Sequence, residues 1–165
     1  MVERTPLVAI VADGEEIFTA LEPAASTLDV LHVPYEKKAL SAHHDPDGLR
    51  EYASTAWERG LRTIIVGEKG ASHLAGMIKS FAGAVQLLVV LQYTDDLKGL
   101  DSVASALAMP AKVPVAIMGF DTPGAINAAV FAADGLAGVH PEIAAALLEY
   151  RARYQEEVLE ANGRL

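Results

Sequence analysis

A chain of 165 residues with 52% apolar and 21% charged residues has the length and composition of one compact domain, which excludes a disordered chain. Thirteen basic and twenty-two acidic residues give a net charge of −9, which argues against nucleic-acid binding because it repels the phosphate backbone. The sequence has no cysteine, so disulfides, thiolate metal sites and a thiol nucleophile are excluded.

No stretch of the sequence has the pattern of a targeting or membrane segment. Residues 1–6 lack the charged-then-apolar order of a signal peptide, and no uncharged apolar run approaches the ~20 residues that span a bilayer. We therefore expect a cytoplasmic protein without a membrane partner. We also expect one domain over residues 1–165, with an α/β core at about 6–138 and a final helix at about 141–162.

Short aliphatic runs alternate along the chain with longer helical patterns, as they do in α/β proteins. Four runs are apolar on both faces, which predicts parallel strands covered on both sides: 7–11, 63–66, 86–91 and 113–118. The more polar segment 35–40 is predicted to be a strand near the edge of the sheet. Crossover helices are predicted between and after the strands: 15–25, 46–59, 71–82, 100–107 and 122–136.

Right-handed crossovers would join these strands into a three-layer sandwich with a mostly parallel sheet, of the flavodoxin or Rossmann type. Asp45 is predicted to cap the helix that begins at Pro46, and Gly60 to end it. Residues 141–162 have apolar positions close to a 3.6-residue period, which predicts a long amphipathic helix. This helix either packs on its own domain or reaches another subunit.

Four segments at the ends of predicted strands are candidates for the functional site: 12–16, 41–46, 67–73 and 92–95. Parallel sheets bind ligands at the carboxyl ends of their strands, and His43 and His73 lie there. A surface or helix-capping histidine would show the same pattern, and His44 is interpreted as a flanking residue. Residues 67–70 run into a helix and predict free backbone N–H groups that bind an anion, although glycine in such a turn also has a purely steric explanation.

Several segments resemble motifs of the N5-carboxyaminoimidazole ribonucleotide mutase (PurE) family, in the same order. Segment 41–46 is similar to the family's Ser-Ala-His-Arg-Thr-Pro, and segment 70–77 to Gly-Ala-Ala-His-Leu-Pro-Gly-Met. Shorter similarities lie at 51–60, 99–102, 109–110, 113–116 and 127–129. Because these independent motifs are in register over nearly the whole chain, the protein is identified as a member of this family.

The resemblance implies an enzyme of purine synthesis that moves a carboxyl group, from a carbamate nitrogen or from CO2, onto a ring carbon of 5-aminoimidazole ribonucleotide. No metal or organic cofactor is implied, because that ring carbon is already nucleophilic. His43 would carry the proton, and His73 with backbone amides around Gly70 and Ala71 would hold CO2. The family forms octamers with sites between subunits, which implies a homo-octamer and a use for the final helix.

By the same resemblance, the substrate would contact the residues of three loops, namely Asp13, Gly14, Glu15, Glu16, Ser41, Ala42, His44, Gly67, Lys69, Gly70, Ala71, Ser72 and Leu74. Asp13 and Glu15 replace two phosphate-binding serines of the family, and His44 replaces an arginine. Carboxylates cannot donate hydrogen bonds, and each would repel a phosphate charge by about 1 kcal/mol at ~4 Å in water. Alternatively, the acidic residues cap and complement the first helix, and Lys69 is either a countercharge for a substrate carboxylate or simply solvated.

Three hypotheses follow from these observations. The chain is a mutase or carboxylase that acts on the family's ribonucleotide, or a paralogue with the same CO2 chemistry on a different, non-phosphorylated substrate. The third hypothesis is a non-catalytic relative that binds a ligand or partner. Retention of His43 and His73 argues against the third, since a scaffold has no need of either residue.

Overall fold

The computed structural model describes residues 5–95 and 97–164, so most of the N-terminal segment considered above lies outside the described residues. The strands are β1 (Val8–Ala12), β2 (Tyr35–Ala39), β3 (Thr63–Lys69), β4 (Gln86–Gln92) and β5 (Ala116–Phe120). The helices are α1 (Glu15–Val30), α2 (Pro46–Thr55), α3 (His73–Phe81), α4 (Leu100–Leu107), α5 (Asp121–Ala137) and α6 (Pro141–Gly163). The predicted alternation of strands and helices is confirmed.

The five strands form one parallel sheet in the order β2-β1-β3-β4-β5, which confirms the predicted flavodoxin-like class. The polar strand β2 lies at the edge, as predicted. Alternate residues of each strand face opposite sides of the sheet. In β1, Val8 and Ile10 join the core with α1, α5 and α6, whereas Ala9 and Val11 join the core with α2, α3 and α4.

Several boundaries differ from the prediction for local reasons. The helix α1 continues five residues beyond the predicted end at Ala25, since Thr27 and Leu28 are buried. The strand β5 begins three residues late because Pro114 has no N–H for the ladder. The cap prediction is confirmed, since Asp45 accepts a hydrogen bond from Gly48 N–H at 3.0 Å.

The final helix α6 has a packed half and an exposed half. Ile143 and Leu147 are buried with α5, and Arg151 is bound by both carboxylate oxygens of Asp134 at 2.9 Å. Beyond Arg151 every described residue is exposed. The prediction that the helix packs on its own domain therefore holds for its first half only. Within the described residues, no helix is both long and apolar enough to cross a membrane.

Candidate active site

The candidate site lies where the carboxyl ends of three neighbouring strands meet. Val11 of β1 is level with Lys38 of β2 on one side and with Val66 of β3 on the other. The chain order along the sheet reverses at this place, and open parallel sheets bind ligands at such a point. Asp13 follows β1, His43 follows β2, and the turn after β3 leads into α3.

The two histidines predicted from the sequence form a direct pair. Nε2 of His43 lies 2.8 Å from Nδ1 of His73, and the rings meet edge to face with centroids 4.9 Å apart. One nitrogen must donate and the other accept, so the contact holds a single hydrogen. The pair can therefore pass a proton from one ring to the other. Among the described residues, no group of three or more His, Asp or Glu is placed to hold a metal ion.

A cavity of about 320 Å³ opens beside the pair, and we call it the histidine pocket. It is lined by Asp13, Ile17, Ala42, His43, Gly67, Glu68, Lys69, Ala71, His73 and Leu74. All of these except Ile17 and Glu68 are predicted from the sequence. The volume suits a small molecule that carries one ring.

A second, apolar cavity lies on the other side of the same histidine pair. It has a volume of about 510 Å³ and is lined by His43, Ser72, His73, Gly76, Met77, Ser105, Ala108 and Met109. Ser72, predicted to contact the substrate, therefore faces this groove instead of the histidine pocket. Its buried hydroxyl makes no hydrogen bond with any described residue.

Two further predicted residues lie beside the pocket: Ser41 binds Asp13 directly, and His44 contacts Ser41. The Ser41 hydroxyl donates to Asp13 Oδ2 at 2.8 Å and accepts from the His44 backbone N–H at 3.2 Å. Nδ1 of His44 lies 3.1 Å from Oγ of Ser41. Because Ser41 has a single hydroxyl hydrogen, it has none left for a ligand. The alternative that Asp13 caps α1 is wrong, since that position is Gly14 and no side chain caps it.

The lysine of the pocket is already paired. Lys69 Nζ donates to Glu16 Oε1 at 2.9 Å, and this hydrogen bond and charge raise the pKa of Lys69. Lys69 therefore adds little net positive charge to the histidine pocket. Glu15 and Glu16 lie in the first turn of α1, where they complement its positive end, as the alternative interpretation predicted. Gly14 and Glu15 are exposed and do not line the pocket.

The turn between β3 and α3 uses most of its amides internally. Gly70 N–H donates to Ser102 Oγ, and Ser72 N–H donates to Ser105 Oγ, each at 2.8 Å. The prediction of a free amide is therefore wrong at Gly70, because a serine of α4 already satisfies it. Ala71 lines the histidine pocket, and its N–H makes no hydrogen bond within the described part of the chain, so a ligand can use this amide.

Glu68 is a pocket residue to which the sequence analysis assigned no role. It lies near the end of β3, its residue surface is 5% exposed, and its Oε1 accepts from Ala75 N–H at 2.6 Å. Burial, together with the charge of Asp13, raises its pKa to about 7 against the lowering effect of the Ala75 hydrogen bond. The sequence analysis ends the strand at residue 66, whereas β3 continues to Lys69 and buries Glu68, so no local pattern identified this carboxylate.

Comparisons of the sequence and of the structure with known proteins find the same family. The family model described as AIR carboxylase matches residues 7–157. The N5-carboxyaminoimidazole ribonucleotide mutase of Bacillus subtilis is 40% identical over 160 residues, which are 97% of this chain and 98% of that protein. The protein of the same name from Pseudomonas aeruginosa is 41% identical over 154 residues, 93% of this chain and 94% of its own. A crystal structure of Treponema denticola PurE matches with a TM-score of 0.82 and 25% identity, over 97% of this chain and 98% of that one.

Proposed function

Because this chain belongs to the AIR carboxylase family, we propose that it is an enzyme that moves a carboxyl group on an aminoimidazole, as N5-carboxyaminoimidazole ribonucleotide mutases do. The observation that carries the proposal is the 2.8 Å contact between His43 Nε2 and His73 Nδ1 at the wall of a ring-sized pocket. Carboxyl migration needs one proton delivered and one removed, and a histidine pair can do both.

In the proposed reaction, His43 donates a proton to the carbamate nitrogen of the substrate, and the bond from nitrogen to the carboxyl carbon breaks. The electron pair of that bond stays on nitrogen, and CO2 is released into the histidine pocket. The nucleophilic ring carbon attacks CO2 and forms the new carbon–carbon bond. The ring proton then returns to the histidine pair, so the product is an isomer of the substrate and no reagent is consumed.

The remaining walls of the pocket position CO2 in this scheme. Ala71 lines the pocket and its N–H has no partner among the described residues, so it is the donor we assign to a CO2 oxygen. The direct test is to incubate the purified protein with N5-carboxyaminoimidazole ribonucleotide and measure the 4-carboxy isomer by chromatography. Conversion above the uncatalysed rate is the expected result, and its absence would contradict the ribonucleotide reaction.

A second candidate is the same carboxyl transfer on a non-phosphorylated aminoimidazole. It is favoured by the charges at the pocket, which is lined by the carboxylate of Asp13. The Ser41 hydroxyl already donates its hydrogen to Asp13, and Lys69 is paired with Glu16. A phosphate charge ~4 Å from one carboxylate is repelled by about 1 kcal/mol in water and several-fold more at lower dielectric. A hydroxyl or amine can instead donate to Asp13.

Calorimetric titration separates these two candidates. If the substrate is non-phosphorylated, 5-aminoimidazole riboside binds about tenfold or more tightly than the ribonucleotide, which is roughly 1.4 kcal/mol. Asp13→Asn then strengthens ribonucleotide binding about tenfold, because it removes the charge and keeps an acceptor for Ser41. Asp29→Asn, near the amino ends of the strands, is the matched control and has no such effect. Tighter binding of the ribonucleotide by the unmodified protein would rule out the second candidate.

We also propose a homo-octamer in the cytoplasm, as expected from the sequence. Its support in this chain is the exposed half of α6, where Tyr154, Val158 and Leu159 are each more than half exposed. Apolar side chains on a protruding helix are explained if they are covered by a neighbouring subunit. Multi-angle light scattering is expected to give about eight times the monomer mass of 17.4 kDa. A monomer at micromolar concentration would contradict the assembly.

A further inference from the structure

The histidine pocket contains one buried titratable group that the proposed reaction does not use, the carboxyl group of Glu68. Its Oε1 is fixed by Ala75 N–H, in the first turn of α3. Its Oε2 makes no hydrogen bond with the described residues, yet it is not among the fully buried unpartnered atoms. Since Glu68 lines the histidine pocket, Oε2 is the atom that meets the solvent there.

The charges around Glu68 disfavour a second negative charge. Burial raises the pKa of Glu68, and the charge of Asp13 at the end of β1 raises it further. Lys69, the nearest cation in sequence, is paired with Glu16. On the side of β4, Glu68 is level with Leu91, which is uncharged. The titratable groups that remain are His43 and His73, which lie across the pocket and hydrogen-bond to each other.

Building on the proposed carboxyl transfer, we propose that Glu68 meets the substrate as a neutral acid and donates its Oε2 hydrogen to an oxygen of the migrating carboxyl group. The proton stays on Glu68 throughout, so the residue binds and positions the carboxyl group without taking part in proton transfer. A neutral acid can approach a carboxylate closely, whereas an ionised Glu68 would repel it. Binding of a carboxylate then requires Glu68 to hold a proton.

This requirement has a measurable consequence above neutral pH. The pKa of Glu68 is about 7, so at pH 8 most of the free protein carries the ionised form. Binding of a carboxylate ligand must then be accompanied by the uptake of approximately one proton. Each pH unit above the pKa costs about tenfold in affinity, because that is the cost of protonating Glu68 first.

The probe we choose is imidazole-4-carboxylate, which has the ring and the carboxyl group but neither ribose nor phosphate. Titration calorimetry at pH 8 in two buffers with different ionisation enthalpies gives the number of protons bound per ligand. We expect close to one proton for the unmodified protein and close to none for Glu68→Gln. The same variant is expected to bind the probe about tenfold more tightly than the unmodified protein at pH 8, because its amide donates at any pH.

Two controls keep the result specific. Glu68→Gln retains an oxygen for Ala75 N–H, so the first turn of α3 keeps its partner, and a melting curve checks the fold. Glu58→Gln removes an exposed carboxylate between α2 and β3, at the amino ends of the strands, and its proton uptake is expected to equal that of the unmodified protein.

Proton uptake of the same size in Glu68→Gln would assign the proton to the histidines and overturn the inference, and so would failure of the probe to bind. The probe is not turned over, so uptake is measured whether or not the ribonucleotide reacts. Turnover without Glu68-dependent uptake refutes the role of Glu68 alone. Glu68-dependent uptake without turnover refutes the proposed ribonucleotide reaction alone.

Discussion

His43→Asn is expected to lower the rate of carboxyl transfer by roughly 10²–10⁴-fold, the usual contribution of a general acid–base group. Asparagine is close to the size of the imidazole ring but exchanges no proton near neutral pH. The substitution also removes the nitrogen that lies 2.8 Å from His73 Nδ1, so the pair can no longer pass a proton. The measurement is kcat at pH 7 with the substrate that the titration experiment identifies.

His32→Asn is the matched control for this variant. His32 has a φ of 57°, in the left-handed region that asparagine tolerates, and it follows α1 near the amino ends of the strands. Its turnover is expected to equal that of the unmodified protein. Full turnover by His43→Asn would show that another group carries the proton.

Gly124→Ala is expected to lower the stability of the protein strongly, because the added methyl group would meet backbone atoms. A Cβ at this position would lie 2.6 Å from the carbonyl carbon of Gly119 and 2.7 Å from its oxygen. Both are backbone atoms, and Gly119 itself has a φ of 112°, so neither β5 nor α5 can yield cheaply. We expect a loss of about 3 kcal/mol or more, which is a fall in Tm of roughly 6–12 °C in calorimetry.

Gly138→Ala tests whether this effect comes from the close approach. Gly138 ends α5 with a φ of −66°, and a Cβ there would meet nothing within 4 Å. Alanine is expected to leave Tm nearly constant or to raise it slightly, because it restricts the unfolded chain. If Gly124→Ala melts within 2 °C of the unmodified protein, helix α5 is not packed as tightly on β5 as this structure requires.

The sequence predicts the sheet well because buried parallel strands have a simple signal. The segments 63–66 and 86–91 are apolar on both faces, and both lie within central strands of the sheet. The polar segment 35–40 is correctly predicted near the edge. Boundaries are less accurate where tertiary packing decides them, as when α1 continues past the predicted end at Ala25 and buries Thr27 and Leu28.

Within the candidate site, the sequence identifies residues better than it identifies their partners. His43 and His73 are predicted as members of one site, and the structure adds that they touch. Gly70 is predicted as an anion donor, but the partner of its N–H, Ser102, is 32 residues further along the chain. No local pattern could reveal that contact, because it depends on where α4 packs.

The sequence by itself determined the fold class and the family, and it predicted the loops of the candidate site, because these depend on periodicity and on motifs that are contiguous in the chain. Only the tertiary structure decided which partners the charged and polar side chains bind. It paired Lys69 with Glu16, bound Ser41 to Asp13, and buried Glu68 against Ala75 N–H at the floor of the pocket. The physical reason is that hydrogen bonding and desolvation depend on distances of a few ångströms between segments that are far apart in sequence.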